Sequence, residues 1–214
     1  MLGPVISLPP TARQGDSPNE IHAVGDSSPL MTMLLEEFSE PGNLVFDPFA
    51  GFGTALLAAE RMGRRPLGLE ILPRRVEHAR AMLADPSAII EADARHLDEL
   101  DLPRFDFAFR SPPFMTRTNH RENPLTGYQT LDGDYRRYLE ELAKVYSKIK
   151  DLAAFGAAAI VNVANVRLDG STTPLAWDLA RALSDVLDFE REIVVDRAAQ
   201  PSWFTNEYCL VFHC

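Results

Sequence analysis

The sequence predicts an α/β fold in which helices cover both faces of a largely parallel sheet. Two observations indicate this. Short apolar runs alternate with helical patterns along the chain, and the last two runs, 192–196 and 207–212, have no helix between them. Alternating strands and helices are typical of parallel sheets with helical crossovers. The final two strands are therefore expected to be antiparallel neighbours.

The individual elements follow from apolar spacing and from turn residues. Short apolar runs predict seven strands, at 44–46, 66–70, 88–90, 105–109, 157–163, 192–196 and 207–212. Apolar residues at helical spacing predict five helices, which begin near positions 28, 54, 73, 135 and 174. Pro29 suits the first position of the first helix, and Pro41-Gly42 ends it.

The length of 214 residues suits one compact domain. Residues 1–20 contain four prolines and no sustained periodicity, so they are expected to form an N-terminal surface arm. Residues 21–214 then form a single domain. Residues 115–131 are polar and aperiodic, and a loop of this length is usually functional or mobile.

Composition and charge exclude several classes of protein. No apolar run approaches the ~18 residues of a membrane span, and the N-terminus lacks the pattern of a secretory signal. Cys209 and Cys214 cannot form a disulfide framework or a four-cysteine zinc site, so we expect no metal and a cytoplasmic location. The net charge of −10 means that any nucleic-acid binding must rely on a local basic patch or be weak.

The first candidate site is Asp47-Pro48-Phe49-Ala50-Gly51-Phe52-Gly53-Thr54, where the first strand turns into a helix. Open parallel sheets bind ligands at such carboxyl ends, and glycines let a ligand approach the backbone. No Gly-Lys-Ser/Thr follows, and Leu56 stands where a dinucleotide motif has its third glycine. Because Asp47 would repel a pyrophosphate, a ligand with an amine and a sulfonium centre suits this turn better.

Two further carboxylates stand at the ends of the second and third strands. Glu70 could accept hydrogen bonds from ribose hydroxyls, and Asp93 from an adenine amine. The alternatives are a solvated strand end for Glu70 and a helix cap for Asp93. Three acids on successive strand ends, beside a glycine loop, favour a ligand site.

The second candidate site is Ser111-Pro112-Pro113-Phe114, at the end of the fourth strand. The two prolines fix the backbone and remove two N–H donors, so the carbonyls around them become rigid acceptors. Ser111 adds a hydroxyl and Phe114 a flat apolar face, a set that could hold a planar ring and grip its amino group. The alternative is a Pro-Pro turn with Phe114 in the core.

Together, DPFAGFGT and SPPF resemble the S-adenosylmethionine-dependent amino-methyltransferases of DNA, which methylate cytosine N4 or adenine N6. The resemblance to this family extends to the segment that contains His22, to the second and third strands at 64–70 and 91–95, and to the final strand at 206–212. The resemblance implies a Rossmann-like class I methyltransferase fold, with a mostly parallel seven-stranded sheet and an antiparallel last strand. It also implies that residues 21–214 are a catalytic domain, in which the sequence shows no separate target-recognition domain.

The site residues follow from the same resemblance. S-adenosyl-L-methionine would lie against His22, Asp47, Pro48, Phe49, Ala50, Gly51, Gly53, Thr54, Glu70, Ile71, Asp93 and Ala94. The target amine would be held by the catalytic residues Ser111, Pro112, Pro113 and Phe114. Candidate contacts to substrate phosphates are Arg117, His120 and Arg121.

The predicted substrate is a nucleic acid, DNA in preference to RNA, and no membrane partner is expected. The chain departs from the family in four ways. It shows no recognition domain, it has Phe114 where tyrosine or tryptophan is also frequent, it has Asn206 where a histidine is often found, and its glycine motif precedes SPPF. One alternative is a methyltransferase acting on RNA, a protein amide or a small amine. Another is a non-catalytic partner subunit that binds the same cofactor. A homodimer or a separate recognition subunit would supply target recognition.

Overall fold

The computed structural model describes residues 2–8, 28–118, 121–198 and 203–214. Within these ranges the elements, in chain order, are β1 (Val5–Leu8), α1 (Ser28–Phe38), β2 (Leu44–Asp47), α2 (Thr54–Arg61), β3 (Arg65–Glu70), α3 (Pro73–Met82), β4 (Ile89–Glu91), β5 (Phe105–Arg110), α4 (Tyr135–Leu152), β6 (Ala153–Leu168), β7 (Ser171–Thr173), α5 (Leu175–Ser184), β8 (Asp188–Arg197) and β9 (Phe204–His213). All five predicted helices and all seven predicted strands are present.

The strands form one sheet in the order β1-β8-β9-β6-β5-β2-β3-β4, with β7 paired to β6. From β4 through β3, β2 and β5 to β6, every neighbouring pair is parallel. Strand β9 is antiparallel to both β6 and β8. The prediction of a mostly parallel sheet with an antiparallel last strand is therefore confirmed, and the seven predicted strands lie side by side.

Two short strands lie outside the prediction, and one of them corrects it. Residues 1–20 are predicted to form a surface arm, yet Val5–Leu8 pairs in parallel with β8, with Val5 opposite Val194. Ile6 and Leu8 are buried, because alternate side chains of a strand share one face. The arm prediction is wrong for this strand, and positions 9–20 lie outside the described residues.

The second unpredicted strand, β7, forms because β6 continues beyond its predicted end to Leu168. The chain then reverses at Asp169 and Gly170, both with positive φ, and pairs antiparallel with β6. The reversal extends the sheet at its carboxyl edge, where the parallel strands end.

Helices cover both faces of the sheet, as predicted. Leu142 of α4 and Leu179 of α5 belong to the core on one face. Leu34 of α1 and Ala59 of α2 belong to the core on the other. Because the crossovers return each parallel strand in the same direction, the carboxyl ends of β2, β3, β4, β5 and β6 meet at one edge. Among the described residues, no helix is both long and apolar enough to cross a membrane.

Candidate active site

The two candidate segments meet at the carboxyl edge of the sheet. Strands β2 and β5 are parallel neighbours, with Phe46 opposite Ala108. Asp47 therefore ends β2 beside the end of β5, where Arg110 precedes Ser111. Arg110 Nη1 lies 3.5 Å from Asp47 Oδ2. The glycine-rich turn and the double-proline step thus share one cleft.

The turn after β2 presents backbone to the cleft. Gly51 and Gly53 have φ of +56° and +78°, a conformation that other residues rarely adopt. A Cβ at Gly53 would lie only 2.8 Å from the Cβ of Ala79 in α3. Glycine is therefore required there both by the backbone and by the packing of α3, and α2 begins directly afterwards at Thr54.

The other residues of the turn are placed beneath or beside this backbone. Pro48 and Ala50 are buried, whereas Phe49 and Thr54 are half-buried. Phe49 packs against the core that contains α4. These residues shape the turn, and their contacts with a cofactor stay a prediction.

Leu56, which occupies the place of a third glycine, has a complementary glycine in the neighbouring strand. A Cβ at Gly68 of β3 would lie 2.7 Å from Leu56 Cδ1 and 2.8 Å from the Cβ of Ala50. A third glycine in a dinucleotide motif permits close helix–strand packing. Here the strand supplies the space instead of the helix.

Glu70 ties the glycine turn to the end of β3. Its Oε2 accepts a hydrogen bond from the Gly51 N–H at 2.8 Å, and its Oε1 accepts one from the Leu72 N–H at 3.0 Å. The side chain is 5% exposed, so Glu70 is not a solvated strand end. Arg75 Nη1 lies 3.8 Å from Oε1, and Ile71 is half-buried. A carboxylate has about four lone-pair sites, so two remain for hydroxyl donors.

Asp47 is a buried carboxylate held in an unusual electrostatic environment. Its Oδ1 accepts a hydrogen bond from the Phe49 N–H at 3.0 Å. Burial raises the pKa of Asp47 to about 6, and Glu70 acts in the same direction, whereas Arg110 and the Phe49 N–H lower it. The site is therefore suited to a further cation that would favour the ionised carboxylate.

Asp93 lies after β4 and caps a short 3-10 helix that runs from Ala94 to Glu99. Its Oδ1 accepts a hydrogen bond from the Arg95 N–H at 2.9 Å, and Arg95 Nη2 lies 2.6 Å from its Oδ2. The interpretation of Asp93 as a helix cap is thus confirmed. The contacts of Asp93 and the buried Ala94 with adenine stay predictions.

The double-proline step lies at the rim of the core. Ser111 is exposed, Pro112 is buried and Pro113 is half-buried. Phe114 is half-buried and stacks on Trp203, with ring centroids 5.8 Å apart and planes 25° apart. Trp203 therefore covers one face of the ring that is predicted to hold the substrate base.

The loop between β5 and α4 links the two candidate segments. Tyr128 has φ of 63° and donates a hydrogen bond from its Oη to the Phe114 carbonyl oxygen at 3.3 Å. Next to it, Gly127 approaches the chain after Glu70, where a Cβ would lie 2.8 Å from Leu72 Cδ2 and 3.3 Å from Ile71 Cγ2. This loop thus contacts both sides of the cleft.

The predicted phosphate contacts are distributed over separate places. Arg117 donates from Nη2 to Asp178 of α5 at 2.7 and 2.8 Å. Arg121 is exposed. Two predicted residues lie outside the described part of the chain: His120, a predicted phosphate contact, and His22, a predicted cofactor contact. A role in substrate binding stays a prediction for all of them.

Three residues that line this region have no role in the sequence prediction: Arg110, Tyr128 and Trp203. The position of Arg110 directly before Ser111 is the one feature of the sequence that could have indicated that Arg110 lies in the site. Tyr128 contacts Phe114 from within the same loop, and Trp203 contacts it from near the other end of the chain. Apolar spacing reveals neither contact.

Comparisons of sequence with known proteins match limited parts of the chain. The N6_N4_Mtase family model of DNA methylases matches residues 9–81. Over 39 residues (18% of this chain and 17% of the relative) the chain is 49% identical to the putative methylase YubD of Escherichia coli strain K12. Over 50 residues (23% and 10%) it is 44% identical to the type II methyltransferase M.BsoBI of Geobacillus stearothermophilus. The chain thus spans less than a fifth of these relatives. The resemblance to DNA amino-methyltransferases is confirmed for the glycine-turn region, and the match to the family model ends before Ser111.

Solved structures match the whole fold. A TehB-like S-adenosylmethionine-dependent methyltransferase from Corynebacterium glutamicum has a TM-score of 0.57 at 14% identity, covering 85% of each chain. A methyltransferase from Pyrococcus furiosus has a TM-score of 0.59 at 14% identity, covering 87% of this chain and 82% of its own. The fold is therefore that of the class I methyltransferases, as predicted.

Proposed function

We propose that this chain is an S-adenosylmethionine-dependent methyltransferase that methylates an exocyclic amino nitrogen of a nucleobase, cytosine N4 or adenine N6 in DNA. The observation that supports it most is the shared cleft. There Arg110 Nη1 lies 3.5 Å from Asp47 Oδ2, and Arg110 directly precedes Ser111 in the chain. Donor and acceptor sites must be this close because methyl transfer is direct.

The donor side fits the cofactor in charge and in shape. When bound, S-adenosylmethionine supplies an electrophilic methyl group on a sulfonium sulfur that is its own leaving group. The buried carboxylates of Asp47 and Glu70 are suited to its ammonium group and ribose hydroxyls. Gly51 and Gly53 carry no side chain, so a ligand can approach their backbone closely.

The acceptor side fits an aromatic amine. A nucleobase amine is a poor nucleophile because its lone pair is delocalised into the ring. The Ser111 hydroxyl and the Pro112 carbonyl oxygen would accept hydrogen bonds from its two N–H groups and direct the lone pair toward the donor methyl group. The nitrogen would bond to the methyl carbon as the carbon–sulfur bond breaks, and the alkylated nitrogen would then release one proton to water. Phe114, held by Trp203 on one face, would stack against the base. These residues act by positioning and electrostatics, and a base in a duplex would have to be flipped out.

A second candidate is the same reaction on RNA, a protein amide or a small amine. The observation that favours it is that arginines near the loop are paired with acids. Arg117 pairs with Asp178, and two arginines of α4 pair with glutamates of the same helix. Such pairs leave little positive charge for a phosphate backbone, unless the substrate displaces them or a partner supplies recognition.

A panel assay with tritiated S-adenosylmethionine tests the proposal and separates the candidates. The purified chain is incubated with duplex DNA, single-stranded DNA, RNA and a protein extract. We expect label in DNA, and Ser111→Ala should reduce it at least about tenfold while binding of S-adenosylhomocysteine is retained. Label in RNA or protein alone would favour the second candidate. Cofactor binding without transfer to any polymer would favour the non-catalytic subunit or a small-amine substrate.

A further inference from the structure

Arg110 places a cation inside a cleft that the sequence predicts to be acidic. Its side chain is 23% exposed, and Nη1 lies 3.5 Å from Asp47 Oδ2. Charge-assisted N–H···O bonds are usually about 2.7–2.9 Å long. The pair is therefore close enough to attract, but it is not the tight two-bond arrangement that satisfies a guanidinium.

Two other nitrogens of this guanidinium, Nε and Nη2, have surroundings that the structure describes. Among the described residues, none accepts a hydrogen bond from Arg110 Nε, which is buried. A Cβ added to Gly51 would lie 3.0 Å from Arg110 Nη2, so the guanidinium lies directly against the glycine backbone. An unpaired buried N–H donor costs free energy, and a ligand oxygen at this position would satisfy it.

The charges of Asp47 and Arg110 therefore form a complement to a zwitterion. A buried carboxylate and an incompletely paired guanidinium lie side by side at the end of two neighbouring strands. An α-amino acid group carries an ammonium and a carboxylate on the same carbon. The methionine part of the cofactor has such a group, whereas the adenosine part does not.

We propose that Arg110 binds the α-carboxylate of S-adenosylmethionine while Asp47 binds its α-amino group. This inference rests on the proposed function, because it assigns a subsite of the same cofactor cleft. Arg110 is then a binding residue that links the donor side to the double-proline step, since its backbone continues directly into Ser111. A role limited to holding Asp47 in place is the alternative.

Isothermal titration calorimetry with three ligands distinguishes these roles without measuring catalysis. The ligands are S-adenosylhomocysteine, its decarboxylated analogue, and methylthioadenosine, which lacks the amino-acid group. The wild-type chain is expected to prefer S-adenosylhomocysteine over the decarboxylated analogue by about ten- to hundredfold, the range of a hydrogen bond to a charged group. In Arg110→Met this preference should vanish, while methylthioadenosine binding stays within about twofold.

Two more variants control the experiment. Arg110→Lys should keep part of the preference, because lysine retains the charge but not the planar guanidinium. If Arg110→Met does not fold, the reduced preference of Arg110→Lys for the carboxylate tests the proposal in its place. Arg74→Met removes an exposed arginine of α3 and should leave all three affinities unchanged.

The outcomes separate the two proposals. If the wild type binds none of the ligands, the proposed function and the inference both fail. The inference alone fails if the ligands bind without preference for the carboxylate. It also fails if Arg110→Met keeps that preference or weakens all three ligands equally, as a purely structural role would require.

Discussion

The two sides of the cleft are held by contacts of different sequence range. On the cofactor side, residues 47–54 and 70–72, Glu70 accepts from the Leu72 N–H two residues away and from the Gly51 N–H 19 residues away. On the acceptor side, residues 111–118 and 121–133, Arg117 reaches Thr173 and Asp178, 56 and 61 residues away. Apart from the contact of Asp47 with Arg110, 63 residues away, the contacts described for the cofactor side are local and made largely by backbone groups. The acceptor side depends on side chains from distant elements.

This difference has a functional consequence. A site formed mainly by two consecutive strand–turn–helix units depends little on distant elements, so it suits a cofactor that does not vary. A site assembled from the loop after β5, α5 and the start of β9 can change with any of them. Substitutions on the two sides are therefore expected to separate cofactor affinity from turnover.

The largest effect is expected on the cofactor side, from Asp47→Ala. It removes the buried carboxylate that we assign to the ammonium group, so the affinity for S-adenosylhomocysteine should fall by about a hundredfold, the upper range for a charged hydrogen bond. Calorimetry measures this. The matched control is Asp106→Ala, whose Oδ2 accepts from the Leu44 N–H at 2.7 Å at the opposite end of the same strand pair. An Asp47→Ala variant that binds as tightly as the control would refute the assignment.

A smaller effect, confined to turnover, is expected from Trp203→Ala. It uncovers one face of Phe114, and an aromatic pair contributes up to about 1.5 kcal/mol, so kcat/KM for methyl transfer should fall about tenfold with cofactor affinity unchanged. Phe189→Ala removes another aromatic pair, with Phe212, at the opposite end of the sheet and serves as control. Equal losses of turnover in both variants would show a general packing effect instead of a local one.

The pH dependence of cofactor binding sharpens the comparison further. Burial and Glu70 raise the pKa of Asp47 to about 6, against the influence of Arg110. Protonation below that pH removes the charge that attracts an ammonium group. Affinity should therefore be constant above pH ~7 and weaken about tenfold by pH ~5, one unit below the pKa. Calorimetry across this range checks it, and Asp47→Asn should flatten the profile. A wild-type affinity that does not change would contradict the role of Asp47.

The smallest effect is expected from Asp178→Asn, which breaks the contact between the loop and α5. Asp178 accepts from Arg117 and, at 2.7 Å, from Tyr135 Oη. Because the Arg117 side chain is 51% exposed, the loss in free energy of unfolding should be at most about 1 kcal/mol. Chemical denaturation measures it. Glu140→Gln, which loses an exposed pair with Arg136 on one helix, should lose less. A loss of several kcal/mol would show that this contact is structural.

The sequence predicts features that depend on neighbouring residues better than contacts between residues far apart in the chain. The element order and the shared cleft followed from strand ends and from glycines, because the turn between Asp47 and Thr54 is determined by neighbouring residues. Strand β1 was missed because its partner, β8, lies near the other end of the chain. The stack of Phe114 on Trp203 was missed for the same reason.

The charge of the cleft was predicted only in part. Asp47 and Glu70 are buried at strand ends as the acidic pattern suggests. Arg110 was overlooked because a single arginine at a strand end has no distinctive spacing. The role of Arg110 depends on the register of β2 against β5, because this register places Arg110 beside Asp47.

The most direct test of the shared cleft is a nucleoside mass profile of DNA from cells that express the chain or its Ser111→Ala variant. Methylated cytosine N4 or adenine N6 should appear with the wild-type chain and be strongly reduced with the variant. DNA without either methylated nucleoside, or with equal amounts in both cultures, would contradict methylation of DNA amines in this cleft.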